Sequence, residues 1–535
     1  MITDLKTKPL KLRRLNGKPL VIFLHLCALG WLLAGDQCAL AAPAAKAQPT
    51  RPNFIFVLLD DMGYADLSCY GGQPGQTPHV DALAREGIRF SQFYVGSPIC
   101  SPSRTAFTTG QCPARWNITS YLAARAENER RGMAQWLDVS APTLARTLKQ
   151  AGYTTGHFGK WHMGGQRDVG EAPLITEYGF DKSLTQFEGL GDRILPLLDA
   201  FDGNPPQNYA LGSDNLGRGN IQWMDRSKVT GAFVQHALDF IQNAEKTGTP
   251  FYVNVWPDDV HSPFFPPKAL RGDDSKRELY LGVTKAMDAQ FAALFDYIRQ
   301  SPTLRTNTII IVASDNGPEP GAGSAGPFRG HKGLLYEGGI REPFIVWGPG
   351  FVQKSARGTL NKTTVVSALD LFPSIAHLAG ATPPAGTNLD GVDLSRAWLG
   401  KSKETRSKAL FWNRPPDRSG ANGTVWPDLA MRQGNWKLLL MRDGSNAQLY
   451  DVVNDPGEAR DLAARHPDVV RRMSASLLAW WKSVPASQAT IRQSANPPNR
   501  LRGVKAAAAN GSLAAEPGPA ALPASTPTAP LLDSP

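Results

Sequence analysis

A chain of 535 residues with 42% hydrophobic, 9% aromatic and 19% charged side chains is too long to be a small staple-dependent scaffold and too apolar to be wholly disordered. Its length predicts two to four compact units, or one large unit with an appendage. The formal charge of +10 invites a nucleic-acid reading, but residues 1–41 carry +4 of it, and +6 spread over the remainder is too dilute for such a footprint, so no nucleic-acid partner is expected.

In chain order, basic residues up to Lys18 precede the apolar stretch Leu20 to Leu33 and the small-residue sequence Ala39-Leu40-Ala41-Ala42. The stretch is short for a membrane span, so residues 1–41 read as a cleaved signal peptide and 42–51 as a linker, with an uncleaved anchor helix as the alternative. This predicts an exported protein, periplasmic or secreted, with no stable membrane anchor after cleavage. Cleavage leaves Cys69, Cys100 and Cys112, an odd number, so at least one thiol is unpaired. Whether Cys69 and Cys112 pair is open at this point.

Asn53 to Leu59 is a continuous apolar run that stops at Asp60-Asp61, as expected of a parallel strand buried on both faces. Tyr153 to Phe158 runs into Gly159-Lys160-Trp161-His162, Phe251 to Trp256 precedes His261, and Thr308 to Ser314 ends at Asp315-Asn316-Gly317. Helical patterns lie between them at Pro78 to Glu86, Thr143 to Ala151 and Gln235 to Asn243. The alternation predicts an α/β domain over 52–395 with a large, mostly parallel mixed sheet flanked by helices and ligands at the carboxyl ends of its strands. Residues 186–228 are Gly-rich and give no reading.

Past about residue 395 the texture changes to short alternating pieces, Trp436 to Leu440 and Leu449 to Asp451, and one helix over about Asp468 to Val484. Val470, Met473, Leu477, Trp481 and Val484 mark its buried stripe, which predicts a smaller α+β subdomain over 396–485 with a small antiparallel sheet. Residues 486–535 read as a disordered Ala/Pro-rich tail.

Three groups of residues carry chemistry. Asp60, Asp61, Asp315 and Asn316 offer hard oxygen ligands, and histidine-poor ligation favours Ca²⁺ or Mg²⁺ over Zn²⁺. Taken singly, an Asp-Asp after a strand is more often a turn or a helix cap. Arg104, Lys160, His162, His261 and Lys332 are cations that together would form a cup for a tetrahedral oxyanion, although each alone reads as a solvated charge or a satisfied histidine. In the third group, Pro102 fits a first helical turn, which puts Cys100 at a helix N-terminus. A reactive thiolate is one reading of Cys100, but a thiol is a poor ligand for a hard metal.

The segment Cys100-Ser101-Pro102-Ser103-Arg104 with Thr109-Gly110 resembles the Cys-x-Pro-x-Arg signature of type I sulfatases, members of the alkaline phosphatase superfamily. The likeness continues through Asp60-Asp61, Gly159 to His162, His261-Ser262-Pro263, Asp315 to Gly317, Gly330-His331-Lys332, Glu337 to Pro343 and Asp390 to Asp393, and reaches Leu449-Tyr450-Asp451. It covers about Pro52 to the Trp480 region. The resemblance implies an alkaline phosphatase-like fold and a sulfatase catalytic domain over 52–395.

It further implies that Cys100 is oxidised to formylglycine by a formylglycine-generating enzyme that reads the segment while it is extended. Hydration would give a diol with one hydroxyl on Ca²⁺, held by Asp60, Asp61, Asp315, Asn316 and residue 100, with Mg²⁺ second to Ca²⁺. That oxygen would attack sulfur while Lys332 and His261 withdraw charge, and one of them would protonate the leaving alcohol. His162 would then take the proton of the second hydroxyl so that the sulfate hemiester collapses, with Arg104 and Lys160 holding the diol. The expected substrate is an aryl or carbohydrate sulfate, from small molecule to glycan. The family's further sulfate-touching Ser has no clear match, and Gly231 stands where relatives often have Asp. The rivals are a phosphonate or phosphate-diester hydrolase of the same superfamily and a silent glycan-binding protein. Trp223, Trp412 and Trp426 are weak pointers to sugar stacking.

Overall fold

The structure is a computed structural model and describes residues 51–199, 204–415 and 425–484. The expected signal peptide, nearly all of the linker and the expected tail lie outside the described residues.

Among the described residues, nine strands form the large sheet. From one edge they are Thr359–Asn361, Ile88–Tyr94, Arg341–Trp347, Thr308–Ser314, Asn53–Leu59, Phe251–Trp256, Thr154–Gly159 and Lys182–Leu184, with Val366–Ser367 also paired to Ile88–Tyr94. Every pairing is parallel except those of Arg341–Trp347, which runs antiparallel to both neighbours. Asn53–Leu59 is wholly buried because the pleat divides it between two cores: Phe54, Phe56 and Leu58 face one layer of helices, and Ile55, Val57 and Leu59 the other. The continuous apolar run is thus the signature of a strand covered on both faces.

Three of the four sequence-expected strands have the expected bounds, and the fourth is Thr154–Gly159, one residue later at each end. The helix at Pro78–Glu86 is as expected, whereas Leu144–Gln150 is shorter because Thr143 serves as its N-cap, accepting from the Arg146 amide. The third helix, Val229–Thr247, extends well beyond the expected core of Gln235 to Asn243. The uninformative Gly-rich stretch contains a three-stranded sheet of Arg193–Leu198, Gln207–Asn208 and Ile221–Asp225.

A separate antiparallel sheet, Leu410–Asn413, Leu429–Gln433, Trp436–Leu440 and Gln448–Asp451, packs against the helix Pro467–Ser483. Val469, Met473 and Leu477 are the buried stripe of that helix, while Val470 and Trp481 are only partly covered. Trp412 does not await a sugar: it is buried against Tyr94, and its indole N–H donates to the Val95 carbonyl at 2.8 Å. Trp426 and Trp223 are partly buried against their own clusters. Cys69, Cys100 and Cys112 are all free thiols.

Candidate active site

Four adjacent parallel strands deliver the site. Thr308–Ser314 ends in Asp315-Asn316, Asn53–Leu59 in Asp60-Asp61, Phe251–Trp256 in the loop to His261, and Thr154–Gly159 in Lys160 and His162. Parallel neighbours end on the same edge, so residues up to 255 positions apart meet there. Gly159 is required where the chain leaves the last of these strands: it has φ +128°, and a Cβ there would lie 2.1 Å from the Trp256 carbonyl oxygen. Asp61 and His162 both have φ 54°, a conformation that non-glycine residues avoid and that here aims their side chains into the cluster.

Cys100 is the first residue of the helix Cys100–Thr109, all ten residues of which are buried. Its Sγ lies 3.9 Å from Asp61 Oδ1. Burial, against the pull of Lys160, pushes its thiol well above the ordinary range, so the unmodified side chain is a neutral thiol and not the reactive thiolate considered from sequence.

The arginine one helical turn on is fully buried and braces the carboxylates. Arg104 Nη2 lies 3.0 Å from Asp60 Oδ1 and 2.8 Å from Asp315 Oδ2, its Nε donates to Asp315 Oδ2 at 3.0 Å, and its Nη1 donates to the Lys160 carbonyl at 3.0 Å. Lys160 Nζ sits 2.8 Å from Asp60 Oδ2 and 3.1 Å from Glu188 Oε2. Lys332 Nζ sits 2.5 Å from Asp61 Oδ2, and His261 Nε2 is 3.8 Å from the same oxygen. His261 is the most exposed of these side chains, with 29% of it accessible, so it marks the open side of the cup.

The oxygen cluster fits a hard divalent cation. Carboxylate oxygens of Asp60, Asp61 and Asp315 all lie within 4.8 Å of one another. The buried amide oxygen of Asn316 has no hydrogen-bond partner among the described residues, while its Nδ2 donates to Asp61 Oδ1 at 2.7 Å. Burial and the neighbouring Asp60 charge push the Asp315 carboxyl well up, whereas Lys160 and Arg104 outweigh burial at Asp60 and hold it low. Three crowded carboxylates and an orphaned carbonyl oxygen are the donor set that Ca²⁺ or Mg²⁺ prefers.

Sequence reasoning missed Glu188, which lies in the Gly-rich stretch with no motif around it. It is buried, and His162 and Lys160 outweigh burial to hold its carboxyl well below the usual range. Its Oε2 is 3.0 Å from His162 Nδ1, and the other ring nitrogen, Nε2, is 2.9 Å from the Leu122 carbonyl oxygen. Leu122 is itself tied to the Cys100 helix, its amide donating to Ser101 Oγ at 2.9 Å. All ten residues singled out from sequence thus fall in one cluster at the carboxyl edge of the sheet, with Glu188 bridging Lys160 and His162.

The sulfatase family model matches residues 52–381. Human arylsulfatase A is 32% identical over 476 residues, covering 81% of this chain and 88% of that protein. The N-acetylgalactosamine-6-sulfatase of Canis lupus familiaris is 32% identical, covering 72% of this chain and 73% of its own length. Among solved structures, Ps i-CgsB in complex with k-i-k-neocarrahexaose superposes with a TM-score of 0.65 at 25% identity, over 80% of this chain and 92% of that one. With this match over most of its length, the chain belongs to the sulfatase family, as a type I, arylsulfatase-like member of the alkaline phosphatase superfamily, and is a sulfuric ester hydrolase.

Proposed function

We propose that the chain hydrolyses a sulfate monoester of an aryl alcohol or a carbohydrate, releasing the alcohol and inorganic sulfate, with Cys100 converted to formylglycine. The observation that carries this reading is the placement of Cys100 at 3.9 Å from a metal-type oxygen cluster and inside a ring of cations. The hydrated formylglycine supplies an oxygen nucleophile that the buried neutral thiol cannot. Asp60, Asp61, Asp315, Asn316 and residue 100 would hold Ca²⁺, with Mg²⁺ as the second choice. When bound, Ca²⁺ supplies positive charge that acidifies a neighbouring hydroxyl and draws charge from sulfate oxygens.

The remaining work falls to the chain's own side chains. Lys332 and His261, on the open side, meet the sulfate oxygens, and one of them delivers a proton to the alcohol oxygen as its bond to sulfur breaks. Arg104 and Lys160 keep Asp60 ionised, and Arg104 holds Asp315 in place. His162 faces two acceptors, Glu188 Oε2 at 3.0 Å from Nδ1 and the Leu122 carbonyl oxygen at 2.9 Å from Nε2, and both stabilise the imidazolium that forms when the ring takes a proton. The relatives' names support both an aryl and an amino-sugar sulfate as substrate.

Cys100 is 2% exposed in a helix with no exposed residue, which supports conversion by a formylglycine-generating enzyme before that helix packs. Export follows from the expected signal peptide, and no helix among the described residues is long and apolar enough to cross a membrane. Two measurements test the reading: mass spectrometry of the peptide Phe90 to Arg104, in which formylglycine has lost sulfur, and release of inorganic sulfate from an aryl sulfate. An intact thiol with no sulfate release, or faster turnover of an aryl phosphate diester, would sink it.

A further inference from the structure

A second polar cavity, of about 280 Å³, lies where the edge of the large sheet meets the small one. Its lining holds four cationic side chains, Lys362, Arg406, Lys408 and Arg432, and no carboxylate. The four are not equivalent. Arg406 is saturated: it is ion-paired with Asp370 and donates to the Lys408 carbonyl at 3.1 Å and the Asp390 carbonyl at 2.8 Å. Lys362 and Lys408 are exposed and make no ion pair among the described residues.

Arg432 is the telling residue. It is only 3% exposed, lies over the Tyr94 ring at 4.6 Å and donates through Nη2 to Gln92 Oε1 at 2.5 Å. Gln92 in turn donates to the Lys362 carbonyl at 2.5 Å, which fixes that loop at the cavity wall. The Nε and Nη1 groups of Arg432 are buried with no acceptor among the described residues. Glu337 feels the Arg432 charge but forms no ion pair with it among the described residues. A buried guanidinium with two idle donors is costly unless an acceptor arrives, and its planar fork matches two oxygens of a tetrahedral anion.

We propose that this cavity is a second, non-catalytic oxyanion site, in which Arg432, Lys362 and Lys408 hold one sulfo group, carried on a sulfated glycan chain or arriving as free sulfate. The choice of sulfate rests on the sulfatase reading; the demand for an oxyanion does not. The cavity sits near the lower end of ligand-pocket sizes, which suits one sulfo group and the sugar that bears it.

The test starts with crystals of the full chain soaked in selenate, whose selenium is located by anomalous scattering. The expected result is a peak within hydrogen-bond distance of Arg432, besides any at the catalytic cup; a peak in the cup alone overturns the proposal. Binding of a chondroitin sulfate hexasaccharide is then measured on a Cys100→Ala background, which stops turnover. Lys362→Ala with Lys408→Ala, and separately Arg432→Gln, are expected to weaken it roughly tenfold, while Lys401→Ala, an exposed lysine outside the cavity, leaves it unchanged. The exposed lysine pair keeps the test decisive if Arg432→Gln fails to fold. A selenium peak with undiminished glycan binding overturns the glycan as the source and leaves free sulfate. A chain that fills the cavity with selenate yet splits no sulfate ester overturns the catalytic reading and leaves this one standing.

Discussion

Two buried ionic clusters in this molecule use the same side-chain chemistry to opposite ends. At the seam between the sheets, Lys437 Nζ lies 2.9 Å from both Glu337 Oε1 and Glu458 Oε1, Tyr94 and Arg341 reach Glu337 Oε2 at 2.6 and 3.1 Å, and the Glu337 amide donates to Glu458 Oε2 at 2.7 Å. Two carboxylates meet two cations, and each carboxylate oxygen lies within 3.1 Å of a cation or a hydrogen-bond donor, so the cluster is closed. At the candidate active site four buried carboxylates face three permanent cations, and the Asn316 oxygen is left over. That cluster is open, and its imbalance is a place for a further cation and an incoming anion. The difference teaches that burial and ion pairing alone do not mark function; here the excess of carboxylates over cations, beside the orphaned Asn316 oxygen, separates the two clusters.

The sharpest way to break the contrast is to remove the nucleophile's source. Cys100→Ala is expected to fold, with an unfolding midpoint close to that of the parent, and to lose turnover by about 10⁴-fold or more. Retained sulfate release would contradict the role given to this residue. Next comes a crossed pair. Asp315→Asn relieves carboxylate crowding, so it should lower kcat/KM by about 10³-fold while leaving metal-free stability unchanged or higher. Lys437→Met leaves buried Glu458 without its cation and Glu337 with Arg341 alone, so it should cost about 3–5 kcal/mol in denaturant unfolding and leave kcat per folded molecule within about twofold. If Lys437→Met abolished turnover and Asp315→Asn unfolded the chain, the assignment of the two clusters would be reversed.

Metal addition separates the clusters directly. Ca²⁺ at about a hundred times its dissociation constant should stabilise the chelator-stripped protein by about 2.7 kcal/mol. The gain should vanish in Asp60→Asn and Asp315→Asn but survive in Glu458→Gln. Equal stabilisation of all three variants would place the cation elsewhere.

How much of this contrast was legible in the sequence follows from the same geometry. Asp60, Asp61, Asp315 and Asn316 could be read because strands buried on both faces are continuous apolar runs, and the first polar residue after such a run marks the sheet's carboxyl edge. The resemblance then supplied the roles of Cys100 and the cations. The seam was hidden: Lys437 in the strand Trp436–Leu440 looks like an ordinary solvent-facing position, yet its side chain is fully buried because a second sheet covers it. Glu188 was hidden for another reason. It lies just beyond the short strand Lys182–Leu184, in a stretch whose glycines blur any period, and only tertiary placement brings it to Lys160 and His162. The Arg432 cavity likewise depends on contacts between distant segments, such as Arg432 with Gln92, that no local pattern encodes.

Glu188 offers a smaller effect that only an electrostatic role would produce. Burial lowers the His162 pKa and the Glu188 charge pulls it back up. Glu188→Gln removes that charge, so the imidazolium becomes less stable and the acid limb of the kcat profile, where His162 must be neutral to accept a proton, should move to lower pH. The loss in kcat is expected to be about 10- to 100-fold, with KM changed far less. An unmoved acid limb would reduce Glu188 to a packing role.

The smallest expected effect probes the closed cluster alone. Burial, only partly offset by Lys437, pushes Glu458 up to about 7, while Lys437 and Arg341 outweigh burial at Glu337 and hold it down to about 2. An unfolded glutamate titrates near 4.5, so the folded chain binds the extra proton of Glu458 between about pH 4.5 and 7, and stability falls as pH rises through that window. Glu337 contributes with the opposite sign: its share is present above 4.5 and is lost as pH falls toward 2. The seam is therefore strongest near pH 4.5 to 5. Glu458→Gln removes one of the two slopes, so the stability difference between parent and variant should change by on the order of 2 kcal/mol from pH 5 to pH 8. Because every other titrating group, including those around Cys100, is common to both proteins, the difference reads Glu458 alone. A pH-independent difference would mean that Lys437 holds both carboxylates ionised, and that the seam is closed by charge rather than by a shared proton.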